Sequence, residues 1–311
     1  MTGTTQPDPI ELIEVGPRDG LQNEPDIIST ADKLAMIDRM LNYGARRLEV
    51  ASFVHPKRVP QMADAEDVIA GLPDRDDTTY IGLALNKRGV MRGSATRERG
   101  AVNGRGRGID QVGCVIVASD TFGQKNQGQT IAEGIAENRD MLRFAKAEGL
   151  SAQITISAAF GCPFEGDVKP ETVLAIAEEL AAEAPVEIAL ADTIGVGVPA
   201  QVADLFGALA ELLAGKIPMR CHFHNTRGTG IANAWAAYQA GVRSFDASLG
   251  GLGGCPFAPK ATGNIATEEL IYLMDKSGIE SGIALDRAIA ANHWFGGIIE
   301  RELPSLVARA A

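Results

Sequence analysis

Short runs of aliphatic and β-branched residues alternate along the chain with stretches of helical periodicity. The strand-like runs cover residues 10–15, 47–50, 80–85, 111–117, 152–156, 186–190, 219–222 and 244–247. Helical patterns cover residues 32–41, 60–70, 131–147, 171–184, 200–214 and 228–240, and Thr30 is the candidate N-cap of the first. Eight strands that alternate with helices predict a parallel sheet, and this length fits a closed (β/α)8 TIM barrel better than an open sheet.

The chain shows no internal repeat and no low-complexity linker. We therefore expect one catalytic barrel domain over residues 1–311, with residues 285–311 forming extra C-terminal helices packed on it. Residues 88–108 depart from the pattern, because they contain six arginines and six glycines. Loop statistics favour a partly helical, flexible surface insertion, and the alternative is an anion site for the phosphates of a nucleotide-tailed substrate.

Composition narrows the class of protein. The chain is 45% hydrophobic and 22% charged, which is typical of a globular protein, and its net charge is −11. An acidic chain is a poor general binder of nucleic acid, and no apolar run is long enough to cross a membrane. The N-terminus shows no signal peptide, and the four cysteines form no CxxC pair, so we expect a cytoplasmic protein that binds neither nucleic acid nor membrane.

Polar residues cluster where the predicted strands end, which is where (β/α)8 barrels carry their active sites. They are Arg18 and Asp19 after the first strand, Glu49 after the second, Asp192 after the sixth, His222 and His224 at the seventh, and Cys255 and Asn264 after the eighth. Five strand ends thus contribute to one rim of the predicted barrel. This convergence is a stronger signal than any single motif.

His222 and His224 are two residues apart on a strand, so their side chains point to the same face and can reach one metal ion. Asp19 and Asn264 add oxygen donors at the same rim. An open site of this kind suits Mg²⁺ or Mn²⁺, while Zn²⁺ and Co²⁺ remain alternatives. The structural alternative is a pair of polar residues at a strand tip.

Arg18 has two interpretations, a buried ion pair or a fixed cation that faces negative charge developing on a carbonyl oxygen. Glu49 then orients Arg18 or assists proton transfer, unless it is a solvated carboxylate at a strand end. Asp192 has the same two interpretations. The glycine-rich loop of residues 250–264 is either an ordinary barrel loop or a lid that carries Cys255 over the site.

Six segments together resemble the 3-hydroxy-3-methylglutaryl-CoA lyase family, from residue 10 to about residue 273. They are EVGPRDGLQNEP, FVHPKRVPQMAD, FGCPFEG, DTIGVG, HFHN and GGLGGCPFAPKATGN. The resemblance implies that the metal ligands are Asp19, His222, His224 and Asn264. It further implies that Arg18 stabilises the enolate of the leaving acetyl-CoA, that Glu49 and Asp192 support it, and that Cys255 is a mobile-loop cysteine needed for turnover. It places Gln22, Lys125 and Asn126 near the bound coenzyme A portion.

The function implied by the resemblance is metal-dependent cleavage of a 3-hydroxyacyl-CoA, such as 3-hydroxy-3-methylglutaryl-CoA, to acetyl-CoA and a keto acid such as acetoacetate. The resemblance also implies an acyl-CoA substrate and a homodimer. Rival readings are a lyase for citramalyl-CoA or an isoprenoid-derived glutaryl-CoA, a condensing synthase of the isopropylmalate type, and a catalytically silent CoA- or metal-binding protein.

The chain departs from the family pattern around the expected acyl site. Arg227 stands where the family has an aromatic residue, His55 replaces a serine, and Ala189 and Ala191 replace a serine and a glycine. If Arg227 faces the pocket, it binds an extra carboxylate, because a guanidinium pairs with two oxygens at once. If it faces outward, which is the favoured alternative, it is a solvated residue at the start of a helix. The two alanines instead favour a more apolar wall and a longer acyl chain.

Overall fold

The computed structural model describes residues 7–103, 108–254 and 263–311, with side chains described up to residue 98 in the first range. Eight parallel strands within these ranges form a closed barrel in chain order. They are β1 (Glu11–Glu14), β2 (Arg47–Ser52), β3 (Thr79–Ala84), β4 (Gln111–Val117), β5 (Ser151–Ser157), β6 (Ile188–Asp192), β7 (Met219–Phe223) and β8 (Ser244–Ala247). Pairing of β1 with β8 closes the barrel, and the predicted (β/α)8 fold is confirmed.

Helices surround the barrel and extend beyond its eighth unit. They are α1 (Thr30–Tyr43), α2 (Ala65–Ala70), α3 (Lys87–Asn103), α4 (Asp120–Asn126), α5 (Ile131–Ala147), α6 (Pro170–Ala181), α7 (Pro199–Leu213), α8 (Gly230–Gln239), α9 (Thr267–Lys276), α10 (Leu285–Ile298) and α11 (Leu306–Ala310). Helix α10 packs against α1, where the Arg39 guanidinium lies 4.0 Å from the centre of the Trp294 ring. Among the described helices, none has both the length and the apolar character needed to span a membrane.

Helix α1 begins one residue earlier than the sequence indicated. Ser29 is the N-cap, since its hydroxyl accepts a hydrogen bond from the Asp32 amide at 3.1 Å. Thr30 is instead the first helical residue, and its hydroxyl donates to Asp64 Oδ2 at 2.6 Å. The prediction of Thr30 as the cap is therefore wrong, because both residues have a suitable hydroxyl and the cap is decided by backbone conformation.

The barrel interior contains many polar and charged side chains beside a small aliphatic cluster, whereas the interior of such barrels is usually filled mainly by branched aliphatic side chains. Arg220 on β7 is buried there and donates hydrogen bonds to Asp246 on β8 and Gln153 on β5. Nearer the amino ends of the strands, Arg47 forms ion pairs with Glu187 and with an acidic residue of β1. The aliphatic core lies between the strands and the helices, outside the barrel.

The arginine- and glycine-rich segment forms most of α3 and lies against the barrel. A Cβ atom at Gly89 would stand 2.9 Å from the Cβ of Ala84, and one at Gly93 would stand 2.9 Å from the Phe53 ring. These two glycines, one helical turn apart, therefore let α3 approach the strands closely. The interpretation of this part as a flexible surface insertion is corrected by this packing.

Two arginines of α3 bind groups of the protein itself. Arg92 forms two hydrogen bonds with the Glu66 carboxylate, and Arg97 donates to the carbonyl oxygens of Glu148 and Gly149. These contacts engage both guanidinium groups. Neither arginine therefore supports the alternative of an anion site in this segment.

We predict opposite effects for alanine at two helical glycines. Gly93→Ala crowds the Phe53 ring and Ile109, so the free energy of unfolding should fall by about 1–3 kcal/mol. The matched control Gly207→Ala, in α7, meets no atom within 4 Å and should raise it by about 0.5–1 kcal/mol. Urea denaturation of both variants measures the difference, and equal effects would contradict the packing argument.

Candidate active site

The chain leaves β1 in a tight π-helical turn, Gly16–Gly20, that presents Arg18 and Asp19 at the rim of the barrel. The amides of Arg18, Asp19 and Gly20 all donate to the carbonyl oxygen of Val15, at 3.2, 2.8 and 3.1 Å. A Cβ atom at Gly16 would lie 2.7 Å from a carboxylate oxygen of Glu14. The turn therefore requires glycine at its first position.

The buried carboxylate of Glu14 ties this turn to three other segments. Its Oε1 atom accepts hydrogen bonds from the Gly16 and Leu249 amides, both at 2.9 Å. Its Oε2 atom accepts from the hydroxyls of Tyr43 and Thr267. Burial raises the pKa of Glu14, although these hydrogen bonds act in the opposite direction. The sequence analysis missed Glu14, whose one signal is a carboxylate between two apolar residues of a strand.

Arg18 lies between two carboxylates at the mouth of the barrel. Its Nε donates to Glu49 Oε1, and its Nη1 donates to Asp19 Oδ1 at 2.6 Å. Burial disfavours the guanidinium charge, but Glu49 and Asp19 outweigh it and raise the pKa of Arg18. The structure thus shows the buried ion pair that was one of the two interpretations of Arg18. The same contacts hold its guanidinium against the cavity described below.

His222, His224 and Asp19 bring three potential metal-binding atoms together. The two Nε2 atoms lie 3.2 Å apart, and Asp19 Oδ2 lies 4.0 Å from that of His222 and 3.8 Å from that of His224. These ligand atoms all lie within 4.8 Å of one another. Burial disfavours ionisation of Asp19, but Arg18 and the imidazoles hold the pKa of its carboxyl well below its usual range.

Asn264 reaches this cluster because the chain after β8 pairs with the end of β7. His224 and Asn264 form an antiparallel bridge, flanked by hydrogen bonds from the Asn225 amide to the Gly263 carbonyl oxygen and from the Ile265 amide to the Phe223 carbonyl oxygen of β7. The Asn264 Nδ2 atom consequently lies 2.8 Å from Asp19 Oδ2. Its Oδ1 atom is buried and has no hydrogen-bond partner within the described part of the chain.

These four residues fit a divalent cation. Two imidazole nitrogens, an ionised carboxylate and an amide oxygen are a ligand set that several divalent metals accept. A buried acceptor such as Asn264 Oδ1 normally has a partner, and a cation would supply one. The donor set and this unsatisfied oxygen agree with the sequence-based prediction of a metal site.

A second layer of charged groups lies beneath the histidines. His222 Nδ1 lies 2.9 Å from Asp246 Oδ2, and Asp246 forms two hydrogen bonds with Arg220. Burial works against the charge of Asp246, but Arg220 outweighs it and lowers the pKa of that carboxyl. Sequence analysis missed this pair, although Arg220 is two residues before His222 and so shares its strand face.

A cavity of about 450 Å³ opens above these groups. Its charged wall includes Arg18, Asp19, Glu49 and His222, and its apolar wall includes Leu83, Leu85, Val115 and Val117. Gln22, Lys125 and Asn126, which the family resemblance placed near coenzyme A, also line it. The structure therefore brings these residues, from β1, β2, β3, β4 and β7 or the segments that follow them, to one concave surface.

One predicted site residue, Asp192, lies apart from the cavity wall. The Asp192 carboxylate accepts hydrogen bonds from the amides of Val196 and Gly197, both at 2.9 Å, and thereby shapes the loop after β6. Burial raises the pKa of Asp192, and the residue is absent from the cavity wall among the described residues. Cys255 lies outside the described residues.

The residues that depart from the family pattern do not add charge to the cavity. Arg227 donates to the carbonyl oxygens of Ile194 and Gly195, so its guanidinium supports the loop after β6. His55 is exposed, and its Nδ1 accepts from the Lys57 amide. The hypothesis that Arg227 faces the pocket is therefore wrong.

Fold and site together define a (β/α)8 enzyme whose active site lies at the carboxyl ends of the strands. The sequence model of the HMGL-like family matches residues 9–294, and the chain belongs to this family of lyases. The family resemblance read from six sequence segments is thus confirmed.

Individual relatives carry more specific names. An (R)-citramalyl-CoA lyase of Chloroflexus aurantiacus is 42% identical, over 97% of this chain and 94% of the relative. A hydroxymethylglutaryl-CoA lyase of Bacillus subtilis is 38% identical, over 96% of each chain. The solved structure of an HMG-CoA lyase from Acinetobacter baumannii, in complex with coenzyme A and 3-methylmalate, is 35% identical with a TM-score of 0.91. That alignment covers 100% of this chain and 97% of the other.

We predict that divalent cations stabilise the protein through the histidine cluster. Mn²⁺ added to EDTA-treated protein at about 100 times its Kd should raise the free energy of unfolding by about 2.7 kcal/mol. His224→Ala should lose this gain, whereas the control His55→Ala should keep it because His55 has no contact with the cluster. An equal gain in all three proteins would contradict a metal site at His224.

Proposed function

We propose that this protein is a divalent-metal-dependent lyase that cleaves a 3-hydroxyacyl-CoA with a distal carboxylate, releasing acetyl-CoA and an oxo acid. The observation that carries the proposal is one cavity whose wall joins the Arg18 cation to the Asp19 and His222 metal-binding atoms. The names of the relatives agree with this chemistry. A lyase activity is incompatible with the alternative of a catalytically silent binding protein. The alternative of a condensing synthase is tested by experiment below.

Asp19, His222, His224 and Asn264 would hold the cation, and Mg²⁺ or Mn²⁺ suits this mixed nitrogen and oxygen set. When bound, the cation would lower the pKa of the substrate hydroxyl and so allow a base to take its proton at neutral pH. The protein itself keeps Asp19 ionised beside Arg18 and directs both imidazole Nε2 atoms to one point.

Arg18 has the position and charge to stabilise the reaction's leaving fragment. As the hydroxyl loses its proton, its electrons form a ketone, the carbon–carbon bond breaks, and the electron pair moves onto the thioester as an enolate. Among the described residues, the Nη2 group of Arg18 has no hydrogen-bond partner, because Glu49 and Asp19 occupy Nε and Nη1. We assign Nη2 to the enolate oxygen and Glu49 to orienting Arg18.

Protonation of the enolate carbon completes acetyl-CoA. We propose that an acid near Cys255 donates this proton. Asp192 acts on the site through the loop that its carboxylate holds. Gln22, and Lys125 and Asn126 of α4, line the cavity, and we assign them to the coenzyme A portion of the substrate. Lys125 adds a cation for its phosphates.

The acyl group is the finer part of the proposal. Neither Arg227 nor His55 offers a charge to the cavity, so these two departures from the family pattern supply no partner for a displaced or additional carboxylate. The apolar wall of Leu83, Leu85 and Val115 and the modest cavity volume favour a short acyl chain. The names of the relatives support citramalyl-CoA and 3-hydroxy-3-methylglutaryl-CoA as candidate substrates, and one relative with 37% identity is named for an isohexenylglutaryl-CoA as well.

The proposal also covers assembly and organisation. We propose a cytoplasmic homodimer, as the family resemblance implies, and sedimentation velocity of the purified protein tests the dimer. Residues 285–311 would form part of the single catalytic domain, since α10 packs against α1 and the Ala284 amide donates to Tyr43.

A substrate panel tests the proposed activity. We expect acetyl-CoA release from (R)-citramalyl-CoA and from 3-hydroxy-3-methylglutaryl-CoA, with kcat/KM for an isohexenyl-glutaryl thioester at least tenfold lower. That ratio corresponds to about 1.4 kcal/mol of transition-state discrimination. No acetyl-CoA from any thioester would refute the lyase proposal, and net consumption of acetyl-CoA with an oxo acid would favour the synthase.

The role of Cys255 is tested by Cys255→Ser. We expect kcat to fall by orders of magnitude while Mn²⁺ affinity and the free energy of unfolding stay at their wild-type values. The control Cys114→Ala removes a buried thiol of β4 and should lower stability while leaving kcat unchanged. A normal kcat in the serine variant would remove Cys255 from the mechanism.

A further inference from the structure

Arg220 and Asp246 form a fixed, fully buried ion pair in the centre of the barrel. Arg220 Nε lies 2.6 Å from Asp246 Oδ1, and Arg220 Nη2 lies 2.8 Å from Asp246 Oδ2. The two side chains are only 2% and 3% exposed. Two parallel hydrogen bonds of this kind fix both the position and the plane of a carboxylate.

Further contacts hold Arg220 on its other side. Its Nη1 atom donates to Gln153 Oε1 and lies 3.7 Å from Glu187, which is itself paired with Arg47. The guanidinium therefore has partners on β8 and β5 and in the residue just before β6. These contacts bridge the barrel and leave Arg220 with a single position.

Asp246 has one further contact, and it is with a residue of the proposed metal site. Its Oδ2 atom lies 2.9 Å from His222 Nδ1. An ionised carboxylate only accepts hydrogen bonds, so this contact requires the proton of a neutral imidazole on Nδ1. The lone pair is then on Nε2, the atom 3.2 Å from His224 Nε2.

The two histidines are not equivalent in this respect. His224 Nδ1 is buried without a hydrogen-bond partner among the described residues. Within the described part of the chain, His222 is therefore the one histidine of the cluster whose Nδ1 atom contacts a carboxylate. The buried ion pair of Arg220 and Asp246 therefore contacts one of the two histidines of the cluster, His222.

We infer that Asp246 is the positioning residue for His222, and that Arg220 acts through Asp246 to keep that carboxylate charged and immobile. The inference rests on the proposed metal site and deepens it. Contacts of this kind typically contribute 10–100-fold to metal affinity. We assign Asp246 a positioning role, because its hydrogen bonds join Arg220 to His222.

The first test reads the tautomer directly. The chain has four histidines, so long-range ¹H–¹⁵N spectra of the metal-free protein at pH 8 can be assigned with single His→Gln variants. We expect His222 to carry its proton on Nδ1 in the wild-type protein and to show a mixture of tautomers in Asp246→Ala. A wild-type His222 protonated on Nε2 would overturn the inference.

The second test measures Co²⁺ affinity from the visible absorption of the bound ion. Asp246→Ala should weaken binding by about 10–100-fold. Asp246→Asn keeps the shape and one acceptor oxygen, so it should lose less. The control Asp64→Asn breaks an ion pair with Lys33 outside the barrel and should leave Co²⁺ affinity unchanged.

Urea denaturation of the metal-free variants separates positioning from folding. If Asp246→Ala does not fold, Asp246→Asn decides the question. If a folded Asp246 variant binds Co²⁺ as tightly as the wild-type protein does, the inference is overturned. The proposed function is judged separately, and it stands as long as the wild-type protein releases acetyl-CoA. A wild-type protein with tight Co²⁺ binding but no lyase activity refutes the function and leaves the inference intact.

Discussion

The hydrogen bonds of the Glu14 carboxylate are the constraint on which the site geometry depends. One side chain at the end of β1 holds the turn that presents Arg18 and Asp19, and it also holds the turn after β8 and the start of α9. Those last two segments flank Asn264 in the chain. The buried carboxylate therefore aligns both halves of the proposed metal site. A surface ion pair has little such influence, because both of its charges are solvated and its side chains stay mobile.

Charge inside the barrel has a similar function. Replacing a buried ion pair by well-packed apolar residues is often neutral or stabilising, so Arg220 and Asp246 are not explained by stability alone. Their geometry instead fixes the orientation of His222 from below, while Arg18 and Glu49 define the neighbouring wall of the cavity. Charged side chains thus occupy part of the interior that apolar residues usually fill, and they orient groups at the mouth of the barrel.

The sequence predicted the fold because periodicity and strand number are local and repetitive. It also predicted His222 and His224 as a pair, since alternation along a strand fixes the shared face. It could not predict which way Arg227 points, because side-chain direction after a strand depends on the loop that the residue meets. Asp246 gave no local signal either, as its partner His222 is 24 residues away along the chain.

The contact between Asp19 and Asn264 spans 245 residues of sequence. Closing so long a loop has a large entropic cost, and it occurs only when β1 pairs with β8. During synthesis, Asp19 can therefore contact Asn264 only after nearly the whole barrel has been made. The proposed ligand set is therefore complete only after the barrel has closed.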